Sequence, residues 1–257
     1  EAHDMPRVIL TSVLAGIHVL ILVASRDLGS ALIFFIVYVM MVFIATGRWI
    51  YLLLGCAGGS GAAVLAYRFF SHVQVRVQAW KDPFSCIDDA GYQITQSLFA
   101  ISSGGWFGLG LFRGTPASIP FVEADFVFSA VAEELGILFS MCMILVCLSC
   151  FIMFMDISVR LQDKFYRLIA FGLGVTYIFQ VFLTVGGGTK FIPMTGVTLP
   201  FISYGGSSVL TTLVMFFIIE GLFIIRQEEG AKRVKRKKRR QRIQRQRRRE
   251  ESEEEEE

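Results

Sequence analysis

The amino-acid sequence predicts an all-α polytopic membrane protein with about six transmembrane helices and a large structured extracytoplasmic loop. Three observations support this fold class. Hydrophobic residues make up 54% of the chain and the mean hydropathy is +0.57, which is high for a soluble domain. Several apolar runs approach or exceed about 18 residues, the length that indicates a membrane helix. Basic residues concentrate in alternate connections between these runs, which predicts one consistent orientation.

Each predicted span is an apolar run of about 20 residues, enough to cross the hydrocarbon core. The six spans cover roughly residues 8–25, 28–46, 50–70, 128–155, 165–185 and 207–225. The first run is not interpreted as a signal peptide, because no small-residue cleavage site follows it and another span begins at once. The opening residues, EAHDMPR, are unlike a natural start and predict a chain truncated at its N-terminus.

The chain divides into a membrane domain, residues 1–230, and a charged tail, residues 231–257, that is predicted to be disordered. The tail carries 13 Lys and Arg and 7 Glu, a net charge of +6, whereas the rest of the chain has 12 basic and 15 acidic residues, a net charge of −3. A nucleic-acid-binding arm is one interpretation of the tail. A juxtamembrane segment facing anionic lipid headgroups is favoured, because the tail directly follows a span. Membrane lipids, and no nucleic acid, are therefore the predicted partners.

Short connections between spans indicate the orientation. Basic residues precede the first span and lie in the connections after the second and fourth: Arg7, Arg48, Arg160, Lys164 and Arg167. If these residues and the basic tail lie in the cytoplasm, three connections face outward. They are the turn SRDLGS, the loop 71–127 and the segment that contains PMTGVTLPFISYGGSS.

The outward connections hold most of the unusual polar residues. The large loop contains QSLFAISSGGWFGLGLFRG, whose aromatic and glycine content argues against disorder. The segment Pro193–Ser208 combines two prolines, three glycines and five Ser and Thr residues, a composition unlike that of a membrane helix. Irregular backbone at membrane depth survives only when it is buried in protein or lines a cavity. We interpret this segment as the rigid wall of a cavity beside the large loop, with a purely structural hairpin as the alternative.

Neither a disulfide framework nor a metal site is predicted. The five cysteines are Cys56, Cys142, Cys147 and Cys150 within apolar runs, and Cys86 alone in the loop. The adjacent aspartates at positions 88 and 89 suggest a metal ligand pair, but such pairs more often form turns.

Five stretches, taken in order, carry a resemblance to a known family. They read RDLGSA, YRFFSHVQVR with AWKDP, GYQITQSLFAISSGGWFGLGL, ADFVFSAVAEELG and PMTGVTLPFISYGGSS. Together they resemble the SEDS family (shape, elongation, division and sporulation), whose members include FtsW, RodA and SpoVE, over about residues 7–226. The resemblance implies a bacterial cytoplasmic membrane protein with about ten spans, of which the six predicted here correspond to the last six.

The resemblance also implies an activity and partners. SEDS proteins are similar to peptidoglycan glycosyltransferases that polymerise lipid II, an undecaprenyl-diphosphate-linked substrate, during cell division, elongation or sporulation. The implied protein partner is a class B penicillin-binding protein, a transpeptidase. A lipid II flippase or transporter and a non-catalytic scaffold of the cell-wall machinery are the alternatives, although the lack of an internal repeat disfavours transport. Whether the truncated chain is active by itself stays open.

A lipid II polymerase needs a carboxylate that accepts the proton of the attacking sugar hydroxyl. The resemblance assigns this role to Asp125, which opens the run DFVFSAVAEELG. Its alternative role is an N-cap of the fourth span. Glu123 stands where the family commonly has His, and we interpret it as a solvated carboxylate rather than a second catalytic group.

The diphosphate leaving group needs positive charge, and the sugars need hydrogen-bond partners. The predicted diphosphate ligands are the outward basic residues Arg76, Lys81 and Lys190, with ordinary solvated charge as the alternative. The other predicted substrate ligands are the hydroxyl side chains of Thr195, Ser203, Tyr204 and Ser207. No cofactor is assigned with certainty, and a divalent cation is left open.

Three further carboxylates are predicted to support the site. Asp27 lies in an outer turn and either caps the second span or pairs with Arg26. Glu133 and Glu134 lie at the head of the fourth span, where one is expected to point into a polar cavity and the other to the interface.

Overall fold

The computed structural model describes residues 4–254, and α-helices are its main regular structure. They are α1 (Asp4–Ala24), α2 (Leu28–Thr46), α3 (Trp49–Phe69), α4 (Ser71–Lys81), α5 (Tyr92–Gly104), α6 (Val127–Arg160), α7 (Lys164–Gly188) and α8 (Gly206–Glu254). Two short 3-10 turns, Phe84–Cys86 and Pro116–Ser118, lie between α4 and α6. No strand occurs in this range, which confirms the all-α prediction.

Five helices are long and apolar enough to cross a membrane: α2, α3, α6, α7 and the Gly206–Arg233 part of α8. The predicted first span falls in α1, whose apolar part, Val8–Ala24, is shorter than the other five. The multi-pass architecture is therefore confirmed, with five of the predicted six spans reaching membrane-crossing length within residues 4–254.

The spans expose much of their apolar surface. No residue of α3 is buried, and Leu53 in that helix is 65% exposed. Phe217 of α8 is 71% exposed. A soluble protein rarely presents apolar surface on this scale, so these faces fit contact with lipid.

The centre of the helical bundle is α7, which packs against α2, α6 and α8 and is the most buried of the five candidate spans. Phe154 of α6 makes an edge-to-face contact with Tyr177 of α7 at 5.5 Å between ring centroids. It makes a second such contact with Phe216 of α8 at 5.0 Å. Aromatic pairs of this geometry stabilise packing beyond simple burial, so they fix α6, α7 and α8 relative to one another.

Asp27, in the turn before α2, was expected either to cap the second span or to pair with Arg26. Asp27 is the N-cap residue of α2, and its Oδ1 accepts a hydrogen bond from the backbone N–H of Ser30 at 3.0 Å. Among residues 4–254 no ion pair joins it to Arg26. A side-chain cap of this kind satisfies one of the free N–H groups at a helix start.

The predicted large loop, residues 71–127, is folded over much of its length. It contains α4, α5 and both 3-10 turns, and α5 packs against α6. Ile119 and Phe126 are almost completely buried in a small core beneath it, together with Ala79 of α4. This core gives the segment a fixed shape on one end of the helical bundle.

The tail begins within α8. The chain continues as one helix through Glu254, past residue 231, where the segment predicted to be disordered starts. Lys, Arg, Gln and Glu are good helix formers, and neither Pro nor Gly follows Gly230. Low hydrophobicity excludes a buried core in this region, but it does not prevent a solvated helix.

Candidate active site

The α7–α8 connection, residues 189–205, packs against α4 through two hydrogen bonds. Trp80 Nε1 donates to the carbonyl oxygen of Lys190 at 3.1 Å. Arg76 Nη1 donates to the carbonyl oxygen of Met194 at 3.3 Å. The segment that begins the predicted large loop is thus joined directly to the proline- and glycine-rich connection, about 110 residues later in the chain.

The other end of the connection is joined to the chain just before α6. The backbone N–H of Tyr204 donates to the carbonyl oxygen of Glu123 at 2.7 Å. The hydroxyl of Ser203 donates to the carbonyl oxygen of Ala124 and accepts the backbone N–H of Leu199 at 2.8 Å. The connection therefore spans the gap between α4 and α6.

The middle of the connection rests on α2 and α7. A Cβ at Gly29 would lie 2.7 Å from the carbonyl oxygen of Thr195, so glycine is required for this close approach. Thr184 Oγ1 of α7 donates to the carbonyl oxygen of Val197 at 2.7 Å. A side chain of α7 thus supplies a hydrogen bond to a backbone carbonyl of the connection. Irregular backbone at membrane depth needs partners of this kind within the protein.

Asp125 lies beside this connection, two residues before α6. The N-cap residue of α6 is Phe126 and no side chain caps that helix, so Asp125 does not serve as the N-cap. A methyl group at Gly196 would lie 3.8 Å from Asp125 Oδ2, which places the carboxylate against the connection. Burial raises the pKa of Asp125, and the positive charge of Arg76 partly opposes this rise.

Two further groups complete the site. Arg76 is half-buried and is held by its bond to the Met194 carbonyl. The hydroxyl of Thr195 is buried and has no hydrogen-bond partner within residues 4–254. A desolvated carboxylate beside a fixed guanidinium forms a site that can accept a proton next to a positive charge.

The predicted lysine ligands have different positions. Lys190 is half-buried at the start of the connection, where its backbone has a positive φ of 60°. Lys81 is exposed in the last turn of α4. Five residues separate it from Arg76, which is about 140° around a helix. Helical geometry therefore directs Lys81 away from the face that carries Arg76.

The predicted hydroxyl ligands also separate into two kinds. Ser203 is buried, and its hydroxyl is used within the connection and toward α6. Tyr204 is 80% exposed and Ser207, in the first turn of α8, is exposed. Glu123 is exposed too, in line with its interpretation as a solvated carboxylate.

Glu133 and Glu134 hold the glycine-rich stretch that follows α5. Glu133 is buried, and its Oε1 accepts the backbone N–H of Thr115 at 3.0 Å, while its Oε2 has no partner in the described residues. Glu134 Oε1 accepts the backbone N–H of Phe112 at 3.1 Å. Their role in this structure is to anchor backbone beside α6.

Sequence analysis missed a break in α6. This break lets the glycine-rich stretch after α5 bond to the backbone of α6. Gly136 has φ 84° and ψ 169°, far from helical values. Around it, Leu109 N–H donates to the carbonyl oxygen of Glu133 at 2.9 Å and Ile137 N–H donates to that of Gly105 at 3.0 Å. The glycine in EELG was the available signal, because a positive φ favours glycine.

Comparison with known proteins gives a consistent result. The family model described as "Cell cycle protein", FtsW/RodA/SpoVE, matches residues 2–228. The chain is 38% identical over 199 residues to the peptidoglycan glycosyltransferase RodA of Mycobacterium tuberculosis (strain ATCC 25618 / H37Rv), covering 77% of this chain and 42% of that protein. It is 36% identical over 201 residues to the probable peptidoglycan glycosyltransferase FtsW of Aliivibrio salmonicida, covering 74% of this chain and 48% of that protein.

A solved structure of a peptidoglycan synthase complex contains a chain with a similar fold. Its TM-score is 0.68 at 26% identity, over 84% of this chain and 60% of that one. The chain spans about half the length of the curated relatives it matches. Because the family model covers nearly the whole sequence, the chain belongs to the FtsW/RodA/SpoVE family of cell cycle proteins.

Proposed function

We propose that the full-length protein is a peptidoglycan glycosyltransferase that polymerises lipid II, with Asp125 as the general base. The observation that carries this proposal is the placement of a half-buried carboxylate beside Arg76 and the α7–α8 connection. Relatives of both subfamilies are named peptidoglycan glycosyltransferases, which supports the reaction class.

Glycan polymerisation joins an acceptor sugar hydroxyl to the anomeric carbon of a donor. A C–O bond forms to the acceptor, the C–O bond to the lipid diphosphate breaks, and the hydroxyl proton passes to Asp125. Burial raises the pKa of this carboxyl, which makes it a stronger proton acceptor than an exposed aspartate. The charge of Arg76 partly opposes this rise.

The leaving diphosphate carries the developing negative charge. Arg76 is placed to offset it, because its guanidinium is fixed by the Met194 carbonyl at the edge of the site. Lys190 at the start of the connection is a second cation in reach of a substrate held there. The unpartnered Thr195 hydroxyl supplies a hydrogen bond to a sugar or phosphate oxygen.

A divalent cation carried by the diphosphate is the alternative source of positive charge. Within residues 4–254 no three His, Cys, Asp or Glu side chains group into a protein-built metal site. Such a cation would therefore be bound mainly by the substrate itself.

Asp125→Asn tests the proposal, since it keeps the shape of the side chain and removes the proton acceptor. Lipid II turnover by the full-length protein should fall by about 10²-fold or more, the lower bound for general-base catalysis. Glu123→Gln is the matched control: it also neutralises a carboxylate, two residues earlier, but an exposed one. Its turnover should stay near wild type.

The same pair separates the proposal from its alternatives. A folded Asp125→Asn protein that polymerises at the wild-type rate would remove Asp125 from the mechanism. Absence of polymerisation by the full-length wild type under any condition would favour a flippase or a scaffold.

We also propose a class B penicillin-binding protein as partner and lipid II as the bound substrate. The similar solved chain comes from a complex that coordinates polymerization and crosslinking. Exposed apolar side chains on α6 and α7, such as Leu145 and Phe182, offer surface to another membrane helix. Co-purification of a transpeptidase with the full-length protein at native levels checks this pairing.

The orientation is proposed with the site outside the cytoplasmic membrane and the tail in the cytoplasm. The basic residues at the α6–α7 connection and the tail support it through the positive-inside rule. Cys86, which is partly exposed beside α5, should react with an impermeant reagent added from outside. Reaction of Cys86 only with reagent added on the cytoplasmic side would contradict the proposed orientation.

A further inference from the structure

The end of the bundle opposite the site contains a large basic cavity. It has a volume of about 790 Å³ and lies between the end of α6, the α6–α7 connection and one face of α8. Three arginines line it: Arg160, Arg226 and Arg233. Leu161 and Phe223 form part of its apolar wall.

One carboxylate holds two of the three arginines. Asp156 Oδ1 accepts Arg160 Nε at 2.6 Å, and Asp156 Oδ2 accepts Arg226 Nη1 at 3.1 Å. One negative charge thus serves two guanidiniums on different helices, and Arg233 adds a third. With Asp156 and with Glu229, which binds the backbone of Gln162 in the cavity wall, the group has three positive and two negative charges, an excess of one.

The mouth of the cavity is also fixed. Glu229 Oε2 of α8 accepts the backbone N–H of Gln162 at 2.9 Å, which ties the α6–α7 connection to α8. Arg226 lies over the ring of Phe223, with its guanidinium carbon 5.6 Å from the ring centroid. These contacts make the cavity a built feature rather than a chance gap between long side chains.

The position of the cavity limits what would occupy it. α6 ends at Arg160, and the apolar run of α8 ends just before Arg226, so these two arginines lie where both helices change from apolar to charged sequence. Basic pockets between membrane helices at this depth suit lipid headgroups. An acyl chain can follow the apolar wall while a phosphate meets the guanidiniums, which bind phosphate oxygens in a bidentate manner.

We infer that this cavity binds the phosphate of an anionic membrane phospholipid, at a site separate from the proposed active site. Phosphatidylglycerol is the probe, because its phosphodiester carries one negative charge that no headgroup cation cancels. Phosphatidylcholine carries the same phosphate with a compensating cation, and it should bind more weakly.

Lipid retention by the purified full-length protein, measured by native mass spectrometry against titrated lipid, tests the inference. Arg233→Gln leaves both Asp156 ion pairs intact. It should weaken phosphatidylglycerol binding about fivefold, the effect of one basic residue near a membrane surface. Arg226→Gln with Arg233→Gln should weaken it by about fivefold for each charge removed.

Lys232→Gln is the matched control, because it removes the same charge one residue away and Lys232 does not line the cavity. Its affinity for phosphatidylglycerol should stay near wild type. If Lys232→Gln weakened phosphatidylglycerol binding as much as Arg233→Gln does, the lipid would be responding to the overall charge of the tail, and the proposed site would be wrong. Inorganic phosphate or glycerol phosphate that displaces the lipid at comparable concentration would overturn the lipid as its occupant. These outcomes do not depend on polymerisation, so the inference and the proposed function fail separately.

Discussion

Asp125 and Glu133 are carboxylates close together in sequence, and the fold uses them differently. Glu133 is 4% exposed, and its Oε1 accepts the backbone N–H of Thr115. Asp125 is only half-buried, its carboxylate accepts no hydrogen bond from residues 4–254, and burial raises its pKa. Its neighbour is instead the cation Arg76.

The difference indicates how structural and reactive carboxylates can be told apart. A carboxylate that accepts a backbone N–H is stabilised in its charged form and anchors the chain. A desolvated carboxylate with no such donor gains more from a proton. The number of hydrogen bonds at each carboxylate therefore separates the two roles better than burial does, because Glu133 is the more buried of the two.

After substitution of Asp125 itself, the strongest test of this comparison is to substitute Arg76, the cation beside it. Arg76→Gln should lower lipid II polymerisation by the full-length protein by about 10²-fold or more, because one fixed group that stabilises transition-state charge has this effect. Lys81→Gln is the matched control on the same helix, where about 140° separates the two side chains. It should polymerise at close to the wild-type rate. Equal losses in both variants would show that α4 contributes only general positive charge.

The same variants sharpen the comparison through pH. The charge of Arg76 lowers the pKa of Asp125, so its removal should raise that pKa. A general base acts in its ionised form, and activity falls as pH drops through its pKa. The acid limb of kcat/KM should therefore move to higher pH in Arg76→Gln and stay in place in Lys81→Gln. A limb that moves to lower pH, or does not move, would contradict the pairing of Arg76 with Asp125.

The sequence was sufficient to predict five of the six proposed spans as membrane-crossing helices within residues 4–254. Hydropathy located the helices because lipid-facing runs must be long and apolar. The ordered motifs located Asp125 and the segment around Thr195, which the structure places on facing elements. Ligand roles for these residues stay predictions.

Other features depend on details that a linear pattern does not carry. Treating residues 71–127 as a loop hid the helical periodicity of α4, which separates Arg76 from Lys81. The Ser203 hydroxyl is used by backbone groups that only the folded chain brings near it. The break at Gly136 occurs inside an otherwise uniform helical pattern, since it exists to receive a distant stretch of backbone.

The smallest expected effect concerns Glu133, the carboxylate that anchors backbone. Glu133→Ala removes the acceptor of the part-buried hydrogen bond from the Thr115 N–H, which should destabilise the folded protein by about 0.5–1.5 kcal/mol. Glu133→Gln keeps an amide oxygen as acceptor, and its amide nitrogen takes the place of Oε2, which is buried without a partner in the described residues. Its thermal unfolding in detergent should stay close to wild type, and so should lipid II turnover per folded molecule. A folded Glu133→Gln protein with the same large loss of turnover as Asp125→Asn would place Glu133 in the reaction, and hydrogen-bond occupancy would no longer separate the two carboxylates.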